Sequence, residues 1–247
     1  MAIKTVGVIP ARFGSSRFPG KPLALIAGIP MIQRVYQQAT QAKMLSQVLV
    51  ATDSKHIAKL CKQRRIPFLM TSPAIRTGSD RVAAVLAQLP RKEQETYFLV
   101  NIQGDEPVVD PGDIDLVAGE VLAGAAVVVG VRDDLTEADA AKGNITKAAV
   151  SCTGRLLLMY RDGPDNCPGV VMRGTGLYAF REQALRDFAG WEQMPLELRT
   201  GVEVVRFLEH DYVVRTVKLK GDTIAVDVPQ DISRVEEYLA RHKSKLS

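Results

Sequence analysis

Residues 6–23 read Val-Gly-Val-Ile-Pro-Ala-Arg-Phe-Gly-Ser-Ser-Arg-Phe-Pro-Gly-Lys-Pro-Leu. The apolar, β-branched opening predicts a buried parallel strand. A loop follows that holds Gly14, Gly20, Pro19 and Pro22, with Arg12, Arg17 and Lys21 among them. Loop amides freed by glycine can cradle anionic oxygens. Arginine grips a phosphate as a fork and lysine acts on it as a point charge, so three cations in ten positions suit a polyphosphate guest. A solvated basic loop is the plain alternative. The loop is neither G-x-x-x-x-G-K-[ST] nor G-x-G-x-x-G, and with Pro22 and Leu23 after Lys21 no helix is expected to start directly there. A nucleotide would therefore lie along an extended loop and not on a helix N-terminus.

Outward from this stretch, strands and helices alternate. Helical spacing runs over 31–43. Gln47–Thr52 reads as a strand, followed by Asp53 and a helix capped by Ser54. Residues 67–70 and 97–102 read as further strands. Arg76–Arg81 is a polar turn in which Ser79 is placed to cap the next helix. A helix over 111–122 capped by Asp110, a strand over 125–131 and a charged helical stretch over 132–142 come next. A hairpin is expected across 146–160, a Pro/Gly/Asp-rich loop over 162–169 and an extended segment over 170–180. Helices are expected over 182–188, 197–210 and 230–243, with strands over 212–219 and 223–228 between the last two. This alternation predicts an α/β layered domain with a largely parallel sheet. In such folds ligands gather at the carboxyl ends of strands. The polar clusters at residues 12–21, 53, 76–81 and 103–107 all fall at such ends.

Composition narrows the class. The chain has 247 residues, 46% hydrophobic and 24% charged, which suits one large domain. Net charge is +4, and the pI is near 9. The cations are scattered, whereas nucleic-acid binders carry dense basic stripes. A non-catalytic anion or nucleic-acid binding module stays as the opposing class, supported by the pI alone. No apolar run reaches the ~20 residues of a membrane span, and the first residues lack the core of a signal peptide. Cys61, Cys152 and Cys167 lack metal spacing and are expected as free thiols in a reducing cytoplasm. With only His56, His210 and His242 available, a zinc site or Ser-His-Asp triad is not expected. A dehydrogenase would need the missing G-x-G-x-x-G.

Asn101-Ile-Gln-Gly-Asp-Glu-Pro107 places carboxylates at a strand end. Carboxylates near phosphates are what Mg²⁺ requires, although Asp-Glu-Pro is equally an ordinary turn. Ala225-Val-Asp-Val-Pro-Gln-Asp231 holds another acidic pair, and on spacing alone a cap for the last helix fits Asp231 or the preceding turn.

Pro10 to Leu23 reads P-A-R-x-x-S-x-R-x-P-G-K-P-L and resembles the signature loop of acid-sugar nucleotidyltransferases, most closely the CMP-Kdo synthetase (3-deoxy-manno-octulosonate cytidylyltransferase) family. The 101–107 and 225–231 stretches resemble that family's V-N-x-Q-G-D-E-P and G-V-D-T-P-x-D, with Ala225 and Val228 as departures. The resemblance implies a Rossmann-like nucleotidyltransferase fold in one domain over 1–247. Within it, 1–131 would be the CTP half, 132–222 a smaller acceptor and dimerisation subregion, and 223–247 a return to the core. It implies that CMP passes from CTP to a Kdo-type 3-deoxy-ulosonic acid and pyrophosphate leaves. Arg12, Lys21 and Asp105 would be catalytic, and Asp105 with Asp227 would hold Mg²⁺. Arg12, Gly14, Ser15, Lys21, Thr77, Gly78, Ser79 and Arg81 would bind the nucleotide. Arg17, Gln103, Arg161, Arg173, Tyr178 and Glu203 would meet the acceptor substrate. A homodimer is also implied, with the hairpin 152–160 and the strand 170–180 as its surfaces.

The acceptor half departs from the family pattern K-H-x-G-I-Y-x-Y at Arg173 and Gly174. It departs from P-L-E-x-x-E-x-L-E-Q-L-R at Thr200 and Val204. The loss of a His, a Glu and a Gln predicts a weaker grip on a polyol, since each unpaired polar group costs ~1–3 kcal/mol. A smaller anionic substrate such as a phosphonate is the alternative these positions raise.

Overall fold

A computed structural model describes residues 2–14, 17–90, 93–161 and 171–242. In chain order the elements are β1 (Ala2–Ala11), a 3-10 turn (Lys21–Leu23), β2 (Leu25–Ile26), β3 (Ile29–Pro30), α1 (Met31–Ala39), β4 (Gln47–Thr52), α2 (Lys55–Gln63), β5 (Phe68–Met70), α3 (Gly78–Leu86), β6 (Glu95–Asn101), α4 (Pro111–Leu122) and β7 (Val127–Arg132). The second half adds α5 (Glu137–Ala140), β8 (Lys147–Val150), β9 (Leu156–Tyr160), β10 (Val171–Arg181), α6 (Glu182–Gly190), α7 (Pro195–Thr200), α8 (Val205–Glu209), β11 (Val214–Lys218) and α9 (Asp231–Arg241).

Among the described residues the main sheet runs β11-β7-β10-β6-β1-β4-β5, and the hairpin β8–β9 hangs on β10 through β8. The pairs β6/β1, β1/β4, β4/β5 and β11/β7 are parallel. β10 runs antiparallel to both of its neighbours, β6 and β7. This is the mostly parallel α/β sheet that the alternation predicts. Residues of period two in β1 feed opposite faces: Val6 and Val8 pack with α3, α6 and α8, while Ile9 and Ala11 pack with α1, α2 and α4. A small third cluster of Ile26, Met31, Val108, Val226 and Val235 ties the final segment and α9 back to β2. No helix among the described residues is long and apolar enough to cross a membrane.

Four expectations need correction. Thr77, not Ser79, caps α3, accepting from the Asp80 amide, and Ser79 lies inside the first turn. The expected helix over 197–210 is two short ones, because Gly201 adopts the left-handed conformation (φ 64°) and ends α7. The stretch 132–142 holds only the single turn α5. Residues 223–228 alternate like a strand but pair with no strand among the described residues. Val226 donates one backbone bond to the Asp105 carbonyl and buries its side chain in the third cluster. The predicted 162–169 loop and the 244–247 tail lie outside the described residues.

Candidate active site

The carboxyl ends of β1, β4, β5 and β6 face one side of the sheet, and their loops carry the site. The β6 loop must pass very close to β1: a Cβ on Gly104 would sit 2.6 Å from the Pro10 carbonyl oxygen. Only glycine fits there, and this approach brings Asp105 to the 12–21 loop.

Lys21 is the meeting point. Its Nζ donates to Asp105 Oδ2 at 2.7 Å and to the Val226 carbonyl at 2.8 Å, and lies 3.8 Å from Asp227 Oδ1. Arg17 reaches the same Asp227 oxygen at 3.1 Å. Residues 84 and 206 positions away from Lys21 thus share one cation. The two carboxylates keep side-chain exposures of 30% and 29%, so both remain open to a ligand. Among the described residues no group of three or more His, Cys, Asp or Glu could enclose a metal. Two hard oxygen donors and an open face match Mg²⁺, which completes its shell with waters and substrate phosphates.

Two cavities adjoin here. One, of about 410 Å³, is lined by Arg12, Arg17, Lys21, Arg76, Thr77 and Arg81. The other, of about 580 Å³, is lined by Glu106, Arg132, Arg173, Tyr178, Thr223 and Arg234. Gln103, Asp105, Arg161, Gly201, Glu203 and Asp227 border both. Of the expected nucleotide residues, Arg12, Lys21, Thr77, Gly78 and Arg81 line the smaller cavity, whereas Ser79 is fully buried and lines neither; of the expected acceptor residues, Arg173 and Tyr178 line the larger cavity, and Arg17 lines only the smaller one. The two spaces meet at Asp105 and Asp227, beside Lys21. Gly14 is exposed on the loop, and Ser15 lies outside the described residues.

Several side chains are held by partners that sequence reasoning did not name. Arg81 is buried, with its guanidinium on Asp53 at 3.1 Å and on Thr71. Asp53 and Thr71 follow strand ends, which is the signal that could have found them. Glu203 accepts from the Gly78 amide and from the amide and hydroxyl of Ser79. It thereby closes the N-terminus of α3. Burial pushes its carboxyl up, against the pull of those donors. Glu106 accepts from the Thr223 hydroxyl at 2.9 Å, and burial first, then the charge of Asp105, pushes it up to about 7. Gln103 donates to the Gly176 carbonyl at 2.9 Å. Tyr178 is buried, and burial raises its hydroxyl well above the ordinary range.

The acceptor-side departures take on a different meaning in three dimensions. Thr200 and Val204 are buried, Thr200 bonding to the Leu196 carbonyl and Val204 packing in the core. Neither lines either of these two cavities, so neither change removes a group from the site. Gly174 does line the larger cavity, beside an irregularity in the β10/β7 register between Gly174 and Tyr178. A Cβ there would meet Met159 Cε at 2.3 Å, so Met159 fills the space of the absent side chain. Arg173 is already engaged, by Asp134 at 2.9 Å and Asp139 at 2.6 Å.

A mostly parallel α/β sheet with a phosphate-type loop, a carboxylate just after β6 and a second brought to it by the segment before α9 defines a nucleotidyltransferase site. The chain matches the cytidylyltransferase family over residues 6–219 and belongs to it. It is 39% identical to a 3-deoxy-manno-octulosonate cytidylyltransferase of Myxococcus xanthus, over 96% of both chains. It is 34% identical to a protein of the same name from Protochlamydia amoebophila, over 100% of this chain and 98% of that one. Among solved structures it is similar to CMP:2-keto-3-deoxy-manno-octonic acid synthetase complexed with CTP, with TM-score 0.86, 29% identity and coverage of 96% and 99%. A putative glucose-1-phosphate thymidylyltransferase from Bacillus anthracis shares the fold, with TM-score 0.70 at 14% identity. The chain is a cytidylyltransferase by family.

Proposed function

We propose that this enzyme transfers CMP from CTP to 3-deoxy-manno-octulosonate and releases pyrophosphate. The observation that carries the proposal is the Lys21 ammonium held between Asp105 and Asp227, where the two cavities meet. The names of the full-length relatives support the substrate. The smaller cavity takes CTP, with its base toward Thr77, Gly78 and Arg81 and its triphosphate along Arg12 to Lys21. The larger cavity takes the sugar acid, whose carboxylate meets Arg161 at the border of the two cavities and Arg17 reaching over from the smaller one. A hydroxyl oxygen of the sugar gives up its proton to water and bonds to the α-phosphorus as the bond from that phosphorus to the bridging oxygen breaks, and pyrophosphate departs. Lys21 and Arg12 neutralise charge on the phosphate oxygens. Gln103, fixed on Gly176, borders both substrates and orients the sugar acid. Such a transfer needs positioning and charge stabilisation and no protein nucleophile.

Asp105 and Asp227 would hold Mg²⁺, which when bound supplies charge neutralisation at the phosphate and favours ionisation of the attacking hydroxyl. Lys21, which spans both carboxylates, is then free to turn to the phosphates. The case for a smaller phosphonate substrate now rests on Gly174 alone, since Thr200 and Val204 face the core. We therefore keep the eight-carbon sugar acid.

The assembly that fits is a homodimer through the β8–β9 hairpin, where Leu157 is 53% exposed. Much of β10 is unsuited as a surface, because Leu177–Phe180 are buried between β6 and β7. The function is tested by pyrophosphate release from CTP with a panel of anionic substrates. Turnover confined to small phosphonates would overturn the sugar-acid assignment, and no turnover with any of them would overturn the transferase reading.

A further inference from the structure

The wall of the larger cavity between β7 and β8 has little apolar anchorage. Its one helical turn, α5, has no buried residue. Yet Asp134, Asp139, Lys142, Asn144, Ile145 and Thr146 of this stretch line the cavity. An unburied segment of this kind opens easily unless polar ties hold it.

Two cations supply those ties. Arg173 of β10 and Lys147 of β8 stand directly opposite each other in the antiparallel register. Like charges in that position repel, so the pair needs compensation on the same face of the sheet. Arg173 Nε donates to Asp134 Oδ1 at 2.9 Å, and its Nη2 donates to Asp139 Oδ2 at 2.6 Å and to the Asp134 carbonyl at 3.4 Å. Lys147 is only 4% exposed. Its Nζ donates to the Lys142 carbonyl at 3.2 Å and to the Arg161 carbonyl. Lys142 closes the ring by donating to Asp139 Oδ1 at 2.8 Å. Hydrogen bonds from Lys142 and Arg173 hold the Asp139 carboxyl down at about 2.

We propose that Arg173 and Lys147 form a two-point clasp that fixes the 133–146 wall and the Arg161 backbone, and so sets affinity for the sugar-acid substrate. The assignment rests on the functional reading above. It makes Arg173 a positioning residue and leaves Arg161 and Arg17 as the cations that touch the substrate. Lys147 does not line the cavity, so its effect on the substrate must travel through the backbone it holds.

Lys147→Met removes the donors and keeps the length. With 3-deoxy-manno-octulosonate as the probe, its KM should rise about tenfold or more, while the KM for CTP changes less than about twofold. Amides of 133–146 should exchange hydrogen faster in the variant, with α1–α4 unchanged. Asp139→Asn, a partly exposed change, should speed exchange in the same window and covers the case in which Lys147→Met does not fold. Equal rises in both KM values, or unchanged exchange over 133–146 in the folded variants, would overturn the clasp. If the wild type does not turn over this sugar acid, the functional reading fails, and the exchange measurements alone decide the clasp.

Discussion

Arg206 is the side chain whose loss should be felt most widely. Its side chain is 3% exposed, and its guanidinium makes a bidentate pair, at 2.7 and 2.8 Å, with Glu197, whose side chain is 2% exposed. The same guanidinium reaches both oxygens of Asp80, at 2.9 and 3.2 Å, and lies 3.9 Å over the Phe188 ring. It therefore joins α7, α8, α3 and α6. Arg206→Met removes the cation and leaves Glu197 buried without its partner, which costs about 3–5 kcal/mol. For a chain of this size ~1 kcal/mol moves the melting temperature by ~2–4 °C, so a fall of ~6–20 °C follows. Arg206→Met/Glu197→Leu removes both charges and should recover most of that loss, because an apolar pair of similar volume often replaces a buried ion pair at little cost. Asp80 Oδ2 also accepts from Thr77 Oγ1 at 2.6 Å, so the single variant should raise the KM for CTP as well. Urea unfolding of wild type, both single variants and the double variant yields the coupling energy. A single variant within about 1 kcal/mol of wild type, or a double variant less stable than Arg206→Met, would refute this account.

Thr77→Val deletes the α3 cap and should cost ~1 kcal/mol, read by urea unfolding, together with a weaker KM for CTP. Lys21→Met should lower kcat by ~10²–10³-fold in steady-state pyrophosphate release, with the fold unchanged by circular dichroism; near-normal turnover would remove Lys21 from the chemistry. Burial raises the Glu203 carboxyl in the folded state, so above the ordinary carboxyl range the folded protein holds more protons than the unfolded chain. Stability should fall as pH rises through that window, and the fall in melting temperature should be shallower in Glu203→Gln. Light scattering at micromolar concentration should give twice the monomer mass, and Leu157→Asp should shift it toward monomer.

The strands and helices whose boundaries were legible carry their own punctuation. The β1 run ends where charge and glycine begin, Ser54 caps α2, and Asp110-Pro111 opens α4. The meeting of Lys21 with Asp105 and Asp227 could be expected only through motif resemblance, because nothing local ties residue 21 to residue 227. What failed was set by tertiary partners. Residues 223–228 alternate like a strand but pair with none of the described strands. Residues 197–210 have helical spacing, and Gly201 interrupts it. Thr200 and Val204 looked like losses from a binding site because spacing on a broken helix does not tell which face each presents. Arg173 does line the larger cavity, and only the fold brings Asp134 and Asp139 onto it. The roles of Asp53, Thr71 and Glu106 depend on contacts between separate strand-end loops, which no window of sequence contains.

The most direct test of the central claim is pyrophosphate release from CTP, with Mg²⁺ and 3-deoxy-manno-octulosonate, by the wild type, Asp105→Asn and Asp227→Asn. Release should require both the sugar acid and the metal in the wild type, and each Asn variant should lose it while keeping its fold. Undiminished release by either variant, or release by the wild type that ignores the sugar acid, would contradict the site built around Lys21, Asp105 and Asp227.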